Sequence, residues 1–359
     1  MGGASGIEFF SLLFTAGVAA GAILAGSQNW LICAVILPLS ALPCFFPEQI
    51  KNAGRRTSEL VFSVTFILLG LFCALSSTLI PEDTPGALEL LAGNSAERLR
   101  DLIGRIPFQS PDSEALIKAL ITGDRNGLTR GSVRVFRESG ASHILALSGL
   151  HVGIIYLAAD RIIRFSLGRA PWTRGIRFVL IVGAGAWFTL MTGAGPSIVR
   201  AFLFIAISEI MRLTCRPAKA SRVLCLALLI QLVLDPAAIT SVGFQLSYLA
   251  MAGIILVYPH IEKWYPQSSS PLRKIWQSAA LSISCQLFTG PLVWIRFHSF
   301  PKYFLLTNLI ALPLTTALMT AAIITIALSG LGICPLFMVK ITEHLCHGLT
   351  EVLTIISGM

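Results

Sequence analysis

Long apolar runs alternate with short polar loops along most of the chain. Each run approaches the length of about 20 residues that a helix needs to cross a hydrocarbon core about 30 Å thick. A helix satisfies its own backbone hydrogen bonds, so it is the element expected in lipid. About eleven such runs are present. They occupy residues 7–26, 29–46, 59–80, 142–165, 177–192, 197–213, 221–234, 242–259, 275–297, 303–328 and 335–357.

A polar stretch, residues 81–140, separates the first three runs from the others. Within it, apolar positions recur at helical spacing over residues 87–103 and 112–121, with charged residues opposite. This pattern predicts amphipathic helices lying at the outer membrane interface. The chain therefore divides into N-terminal membrane spans (1–80), an extracytoplasmic polar segment and a membrane-embedded block (141–359).

Composition agrees with a membrane location. Hydrophobic residues make up 55% of the chain and charged residues 13%, with a mean hydropathy of +0.77, whereas soluble domains carry about 25% charged residues. We expect an all-α fold, a polytopic transmembrane helical bundle of about 11 spans with a short extracytoplasmic amphipathic segment. The first run has no basic region before it and further spans follow, which predicts a retained helix rather than a signal peptide.

The positive charge is distributed unevenly between alternate loops. One set of loops holds fifteen Lys and Arg, and the short loops of the opposite set hold only Arg296 and Lys302. The rich loops are 51–56, 161–177, 212–222 and 263–274. By the positive-inside rule, the rich side is cytoplasmic. This predicts an inner-membrane protein with a cytoplasmic N-terminus and an external polar segment, and it explains the net charge of +9 without a nucleic-acid partner.

Two features remain open at this stage. Asn308 and Pro313 can interrupt the run 303–328, so the side of the C-terminus is not assigned. The eight cysteines lie in or beside apolar runs and show no CxxC spacing, so neither a disulfide framework nor a cysteine metal site is expected.

Four ordered segments carry a recognisable pattern. A glycine-punctuated polar approach, ITGDRNGLTRGSVRVFRESGASHILALSGLHVG, runs into an apolar helix at residues 121–153. TGAGPSIVRA follows at 192–201, SVGFQLSYLA at 241–250, and SCQLFTGPLVWIRFHSFPKYFLLTNLIALPL at 284–314. In content and order these segments resemble the ComEC-type competence proteins, the inner-membrane channels of DNA uptake.

The resemblance implies a channel that carries single-stranded DNA into the cytoplasm during natural transformation, with no catalytic residues, cofactor or metal. Many members also carry an external oligonucleotide-binding fold and a metallo-β-lactamase-like nuclease domain, and neither is expected in this sequence. The implied partners are single-stranded DNA, the lipid bilayer, a separate nuclease, a cytoplasmic translocase and DNA-binding competence proteins, and a homo-oligomer is an open alternative. No nucleotide-binding motif is present, so we expect partners to supply the energy for transport.

The candidate pathway residues are polar or small residues inside the four motifs. They are Asp124, Arg125, Ser148, Gly149, His151, Gly153, Pro196, Ser197, Arg200, Gln245, Ser247, Gln286 and Asn308.

Arg200 is a functional candidate by default, because an arginine at mid-helix costs about 2.5–3.5 kcal/mol on insertion scales. Its alternative is an anchor that reaches to the outer interface. Pro196 and Ser197 begin the same helix, and its positive N-terminal end with free N–H groups is physically the best candidate for a phosphate site.

Packing and turn formation compete with a pathway role for the other candidates. Gly149 and Gly153 have the small-xxx-small spacing of close helix contacts. Ser148 and His151 share a helix face, where they present donors and acceptors either to a strand or to a neighbouring helix. Asp124 and Arg125 form either a gate or a simple turn.

The polar residues of the later spans have similar alternatives. The neutral side chains Gln245, Ser247, Gln286 and Asn308 can instead make interhelical hydrogen bonds. Glu343, His347 and Glu351 recur every four residues, which suits a metal or proton relay, but a packed polar stripe is the simpler interpretation and no metal is expected.

Three other functions remain open from the residues alone. The same Arg, His and Gln side chains would serve a transporter of a smaller anionic or amphiphilic solute. A polytopic enzyme acting on lipid-linked substrates could use Ser148 with His151, or Glu343 with His347. An accessory or degenerate channel homologue is the fourth alternative.

Overall fold

The computed structural model describes residues 6–24, 55–77, 86–167, 173–214, 219–265, 271–298 and 302–358. Within these ranges every regular element is a helix and no strand occurs. The predicted run 29–46 lies outside the described residues. The helices are α1 Gly6–Leu24, α2 Arg55–Ser77, α3 Ala87–Gly104, α4 Pro111–Thr122, α5 Arg130–Glu138, α6 Ser142–Leu145, α7 Gly149–Leu167, α8 Thr173–Met191, α9 Pro196–Leu213, α10 Ala220–Leu234, α11 Val242–Leu256, α12 Tyr258–Ile261, α13 Pro271–Phe297, α14 Phe304–Gly330 and α15 Leu336–Ser357.

Five helical stretches of the described chain are long and apolar enough to cross a membrane by length and composition. They are Leu60–Ser77, Thr173–Met191, Val242–Trp264, Pro271–Phe297 and Phe304–Gly330. Ile7–Ile23 and Ala220–Leu234 are apolar but shorter. The all-α polytopic bundle is therefore confirmed, and the number of spans stays a prediction.

One predicted run is divided and another is continuous. The run 142–165 separates into α6 and α7, because Ala146 to Ser148 leave the helical conformation before α7 begins. α14 continues through Pro313 from Phe304 to Gly330 without the interruption that the sequence allowed. Proline is tolerated inside membrane helices that pack against others, and the buried residues of α14 include several threonines and alanines.

The chain forms two compact units. The first comprises Met1–Thr84 and Leu203–Tyr248, and the second comprises Pro85–Phe202 and Leu249–Met359. Each unit is assembled from two separate stretches of sequence and has its own apolar core.

In the first unit α1 and α2 pack closely against each other through small residues. A side chain at Gly17 would collide with the Ile67 carbonyl, and one at Gly70 would collide with the Phe14 carbonyl. Because the two backbones approach this closely, the pair has the small-residue interface of membrane helices. α10 packs on α1, and the Tyr248 hydroxyl donates to Gln231 Oε1 at 3.0 Å inside this unit.

The core of the second unit joins α4, α14 and α15. Eight of the twelve residues of α4 are buried, including Ile117 and Leu120. This differs from the expectation of an interfacial helix, because α14 and α15 cover the face of α4 that its sequence pattern left for lipid or water. Whether the polar segment is extracytoplasmic stays a prediction.

A buried carboxylate fixes the start of α4. Glu343 of α15 is 5% exposed and accepts hydrogen bonds from the backbone N–H groups of Gln109 and of Ser110, the latter at 3.1 Å. Ser110 is the N-cap of α4, so the carboxylate also lies at the positive end of that helix.

Candidate functional site

A cavity of about 540 Å³ lies in the second unit where two of the four motifs meet. Its volume is within the range of ligand pockets, about 300–1,000 Å³. Three parts of the chain form its wall. They are Glu89, Gly93, Ala96 and Arg100 of α3; Thr122, Gly123, Asp124 and Asn126 after α4; and Leu190, Met191, Thr192, Gly193 and Ala194 at the end of α8. The distribution of Lys and Arg predicts that the turn after α4 and the end of α8 lie on the same side of the membrane. Their contact at this cavity is consistent with that prediction.

The turn after α4 is held by both of its charged residues. Asp124 Oδ2 lies 3.7 Å from Arg100 Nε, and Asp124 Oδ1 accepts from the Asn126 N–H at 3.0 Å. Arg125 Nη2 donates to the Leu145 carbonyl at 3.0 Å, which ties the turn to α6. Both charges therefore shape this turn, while Asp124 alone of the pair also faces the cavity.

Gly123 makes the turn possible. Its φ of 79° lies in the left-handed region, and its N–H donates to the Ala119 carbonyl to close α4. A side chain there would meet Leu147 Cδ1 at 2.5 Å. The glycine therefore allows residue 123 to pack directly against the segment that leads into α7.

Ser148 and His151 form a cap at the start of α7. His151 Nδ1 accepts from the Ser148 N–H at 3.1 Å, and Ser148 Oγ accepts from the Leu150 N–H at 3.3 Å. This is the reciprocal arrangement of a capping box, with histidine in the place that Glu or Gln usually takes. Because Nδ1 is the acceptor, the proton of the neutral ring is assigned to Nε2. His151 is 1% exposed, and none of the described residues hydrogen-bonds to Nε2.

Arg200 of α9 lies over Gly149. A side chain at Gly149 would meet Arg200 Nη2 at 2.9 Å and the Ala201 methyl at 3.6 Å. Arg200 is buried, with 9% of its surface exposed. Gly149 thus leaves space for a buried cation. A side chain at Gly153 would meet no atom of the described residues within 4 Å, so close packing applies to Gly149 alone.

The turn between α8 and α9 is tight. Gly193 and Ala194 have φ values of 78° and 48°, and their N–H groups donate to the Leu190 and Thr189 carbonyls. A left-handed alanine costs about 1–3 kcal/mol, so the rest of the fold must maintain this conformation. Pro196 begins α9 and Ser197 follows it, as predicted, one turn before Arg200.

The remaining candidates are neutral polar residues of the later helices. Gln286 Nε2 on α13 and Asn308 Oδ1 on α14 are buried atoms for which the described chain provides no hydrogen-bond partner. Gln245 and Ser247 belong to the first unit, where Gln245 Nε2 donates to the Ile239 carbonyl at 2.8 Å. Their pathway role stays a prediction.

The acidic and histidine stripe of α15 divides between two environments. Glu343 is buried and holds the start of α4, whereas His347 and Glu351 are exposed. Among the described residues, no group of three His, Cys, Asp or Glu side chains is arranged to hold a metal ion.

Two residues that position these sites were not recognised in the sequence. Arg100 lines the cavity and faces Asp124, but its spacing on α3 resembles any charged position of an amphipathic helix. Gly253 of α11 lies against the Ser284 carbonyl of α13, and only its place three residues beyond a motif distinguishes it from other glycines.

Comparison with known proteins supplies the family. The family described as "Competence protein" matches residues 120–359. "ComE operon protein 3" of Bacillus subtilis is 27% identical over 210 residues, covering 57% of this chain and 25% of that protein. "Recombination protein 2" of Haemophilus influenzae is 26% identical over 259 residues, covering 68% and 32%. "Competence protein ComA" of Neisseria gonorrhoeae is 28% identical over 208 residues, covering 56% and 28%.

The chain spans between a quarter and a third of the length of these three relatives. No solved structure matches. Residues 120–359, which match the family, contain all four sequence motifs and the parts of the cavity wall at the ends of α4 and α8. They also contain the cap of Ser148 and His151 at the start of α7, and Arg200 of α9. The chain therefore belongs to the competence protein family of the ComEC type, as its ordered motifs predicted.

Proposed function

We propose that the chain lines an inner-membrane path by which single-stranded DNA enters the cytoplasm during natural transformation, and that it acts as a conduit rather than as an enzyme. The relatives named for competence support the process. The arrangement of cations and hydrogen-bond donors in the second unit supports the polyanionic substrate.

The buried Arg200 carries this proposal. It lies in an apolar helix of the family-matched region, and Gly149 provides the space for its guanidinium. An intramembrane arginine is expensive unless it serves a path or partner. A guanidinium binds phosphate oxygens with two parallel hydrogen bonds and does not distinguish bases, which suits transport of any sequence.

The second support is the cavity between two motif turns. Its wall carries Arg100 beside Asp124, so the cation is partly neutralised before any strand arrives. We infer that this cavity is the vestibule and that Arg200 lies further along the path. Partners would supply the energy, namely a cytoplasmic translocase, a nuclease and DNA-binding competence proteins.

Transformation of a deletion strain tests the proposal. In a naturally transformable host, we expect deletion to abolish nuclease-resistant accumulation of labelled DNA, and wild-type chain to restore it. Arg200→Gln should lower the accumulation about tenfold, because a charge-assisted contact contributes about 1.5–3 kcal/mol. Arg200→Lys keeps the charge and should retain more of it.

Arg222→Gln is the matched control, because it removes an exposed charge from α10. Membrane abundance of each variant separates loss of function from loss of protein. Normal DNA accumulation in the deletion strain would overturn the proposal and favour a transporter of a smaller anionic solute.

A further inference from the structure

Three arginines occupy the outer face of α5. Arg130, Arg134 and Arg137 are exposed and recur at intervals of four and three residues, which places them on one face of the helix. Their Cα positions extend over about 10 Å along the axis. We call this set the arginine stripe.

The helix that carries the stripe is firmly mounted. Thr129 Oγ1 caps its start by accepting from the Ser132 N–H at 3.1 Å, and Phe136 on the opposite face is 1% exposed in the core of the second unit. After its end, the Ser139 carbonyl accepts from Thr307 Oγ1 of α14 at 2.7 Å. The three side chains therefore project from a fixed support.

The stripe is unfavourable for the isolated helix. Like charges three and four residues apart repel one another, and Arg130 lies in the first turn, where the positive end of the helix disfavours a cation. The only carboxylate of α5 is Glu138, which accepts from Arg134 Nε at 2.7 Å. This hydrogen bond and the attraction of Glu138 raise the pKa of Arg134, but an exposed pair of this kind is easily exchanged for another anion.

We propose that the arginine stripe is the docking surface on which the phosphodiester backbone of the incoming single strand first binds. This inference rests on the proposed function. The stripe begins four residues after Asn126 of the cavity wall, and α5 is followed in the chain by the segment that leads to Ser148. Arginine forks bind successive phosphates without reading bases.

Anionic lipid headgroups fit this surface less well. A helix that lies in the headgroup region inserts an apolar face into the lipid. The apolar face of α5 is covered by protein through Phe136, and none of the exposed large hydrophobic residues of the described chain lies on α5. The charged face alone is available, which suits a soluble polyanion.

Salt dependence of DNA binding tests the docking surface. The full chain in nanodiscs of zwitterionic lipid is titrated with a fluorescent single-stranded oligonucleotide of mixed sequence at several salt concentrations. Three phosphate contacts contribute a slope of about −2 to log affinity against log salt. We expect Arg130→Gln/Arg134→Gln/Arg137→Gln to lose this slope. Wild-type affinity should then fall about 20-fold more than that of the variant between 50 and 200 mM salt.

Arg98→Gln/Arg105→Gln/Lys118→Gln is the matched control, because it removes the same charge from α3, from the residue after α3 and from α4. The control should keep the wild-type slope, and each single substitution in the stripe should reduce it by about 0.7. If the triple variant is poorly folded, the salt slopes of the single variants still test the docking surface.

Two results would overturn the inference. One is a wild-type salt slope in the stripe variants. The other is a change in slope on substitution that appears only in nanodiscs of anionic lipid, which would identify lipid headgroups as the occupant. Binding is measured without transport, so it is separable from the proposed function. If the deletion strain imports DNA normally, the proposed function is wrong. If the deletion strain is import-defective but the stripe variants keep the wild-type binding slope, only the docking surface is wrong.

Discussion

At the scale of single residues, the start of α7 shows how one ring nitrogen of a histidine can cap a helix. His151 Nδ1 accepts the Ser148 N–H, and Ser148 Oγ accepts the Leu150 N–H. The helix start is therefore satisfied without a charged side chain, which suits an apolar environment. Because Nδ1 accepts this bond, the Nε2 proton of His151 is a hydrogen-bond donor that no described residue accepts.

An acceptor at position 151 should be required for stability. His151→Gln can still accept from Ser148, and we expect nearly wild-type thermal unfolding of the purified protein in detergent. His151→Leu leaves that N–H without an acceptor and should lower stability by about 1 kcal/mol. His347→Leu, at an exposed histidine of α15, is the control. Equal losses for Gln and Leu would show that the cap does not act as described.

The sequence predicted residue pairs only where they are near neighbours. The spacing of Ser148 and His151 placed them on one face, and their hydrogen bond follows from that. The contact of Arg200 with Gly149 and the hydrogen bond of Arg125 to Leu145 join different elements, so no local pattern encodes them. The sequence identified these residues as candidates but could not give their partners.

At the scale of helices, apolar periodicity predicted the elements well and their surroundings poorly. Helices occur at each predicted run within the described residues, and α3 and α4 occupy the two predicted amphipathic stretches. The burial of α4 was missed because its partners, α14 and α15, come from the other end of the chain. A single sequence shows which face of a helix is apolar, but not which element packs against that face.

Close helix pairs depend on particular glycines, and Gly253 of α11 provides a test. A side chain there would overlap the Ser284 carbonyl of α13. We expect Gly253→Val to separate the helices and lower stability by about 1–3 kcal/mol. Gly183→Val on α8 introduces the same side chain where the described structure has no neighbour within 4 Å. A similar fall in melting temperature for both variants would contradict the close approach.

At the scale of the molecule, two contacts of α3 define which ends of the second unit lie together. Glu89 to Arg100 line the cavity with the end of α8, and Leu102 contacts Gly330 at the end of α14. The other end of α14 is bound through Thr307 to Ser139, about 35 Å away along the helix. The loop after α14 therefore lies on the same side as this part of α3. Because α14 is continuous through Pro313, the loop before it, which holds Lys302, lies on the opposite side. The charge pattern placed both α3 and Lys302 outside, and these contacts do not agree with that placement.

Cysteine labelling on intact cells tests this arrangement. In chains with one cysteine each, we expect Arg98→Cys on α3 and the native Cys334, which is exposed after α14, to react with a membrane-impermeant maleimide under the same conditions. Lys302→Cys, before α14, should show the opposite behaviour. Lys219→Cys lies in a loop predicted to be cytoplasmic and should react only after permeabilisation. Reaction of Cys334 and Arg98→Cys under different conditions would contradict the inference about α14.

The bond from Glu343 to the turn before α4 also has a consequence for the order of synthesis. The carboxylate follows Gln109 and Ser110 by more than 230 residues, so the ribosome makes it long after the turn that needs it. Until α15 emerges, two backbone donors at the start of α4 lack their acceptor, and the turn that ends α4 in the cavity wall is attached to an unfinished helix start. A nascent chain released before position 343 would contain its earlier helices, but the start of α4 would still lack this acceptor.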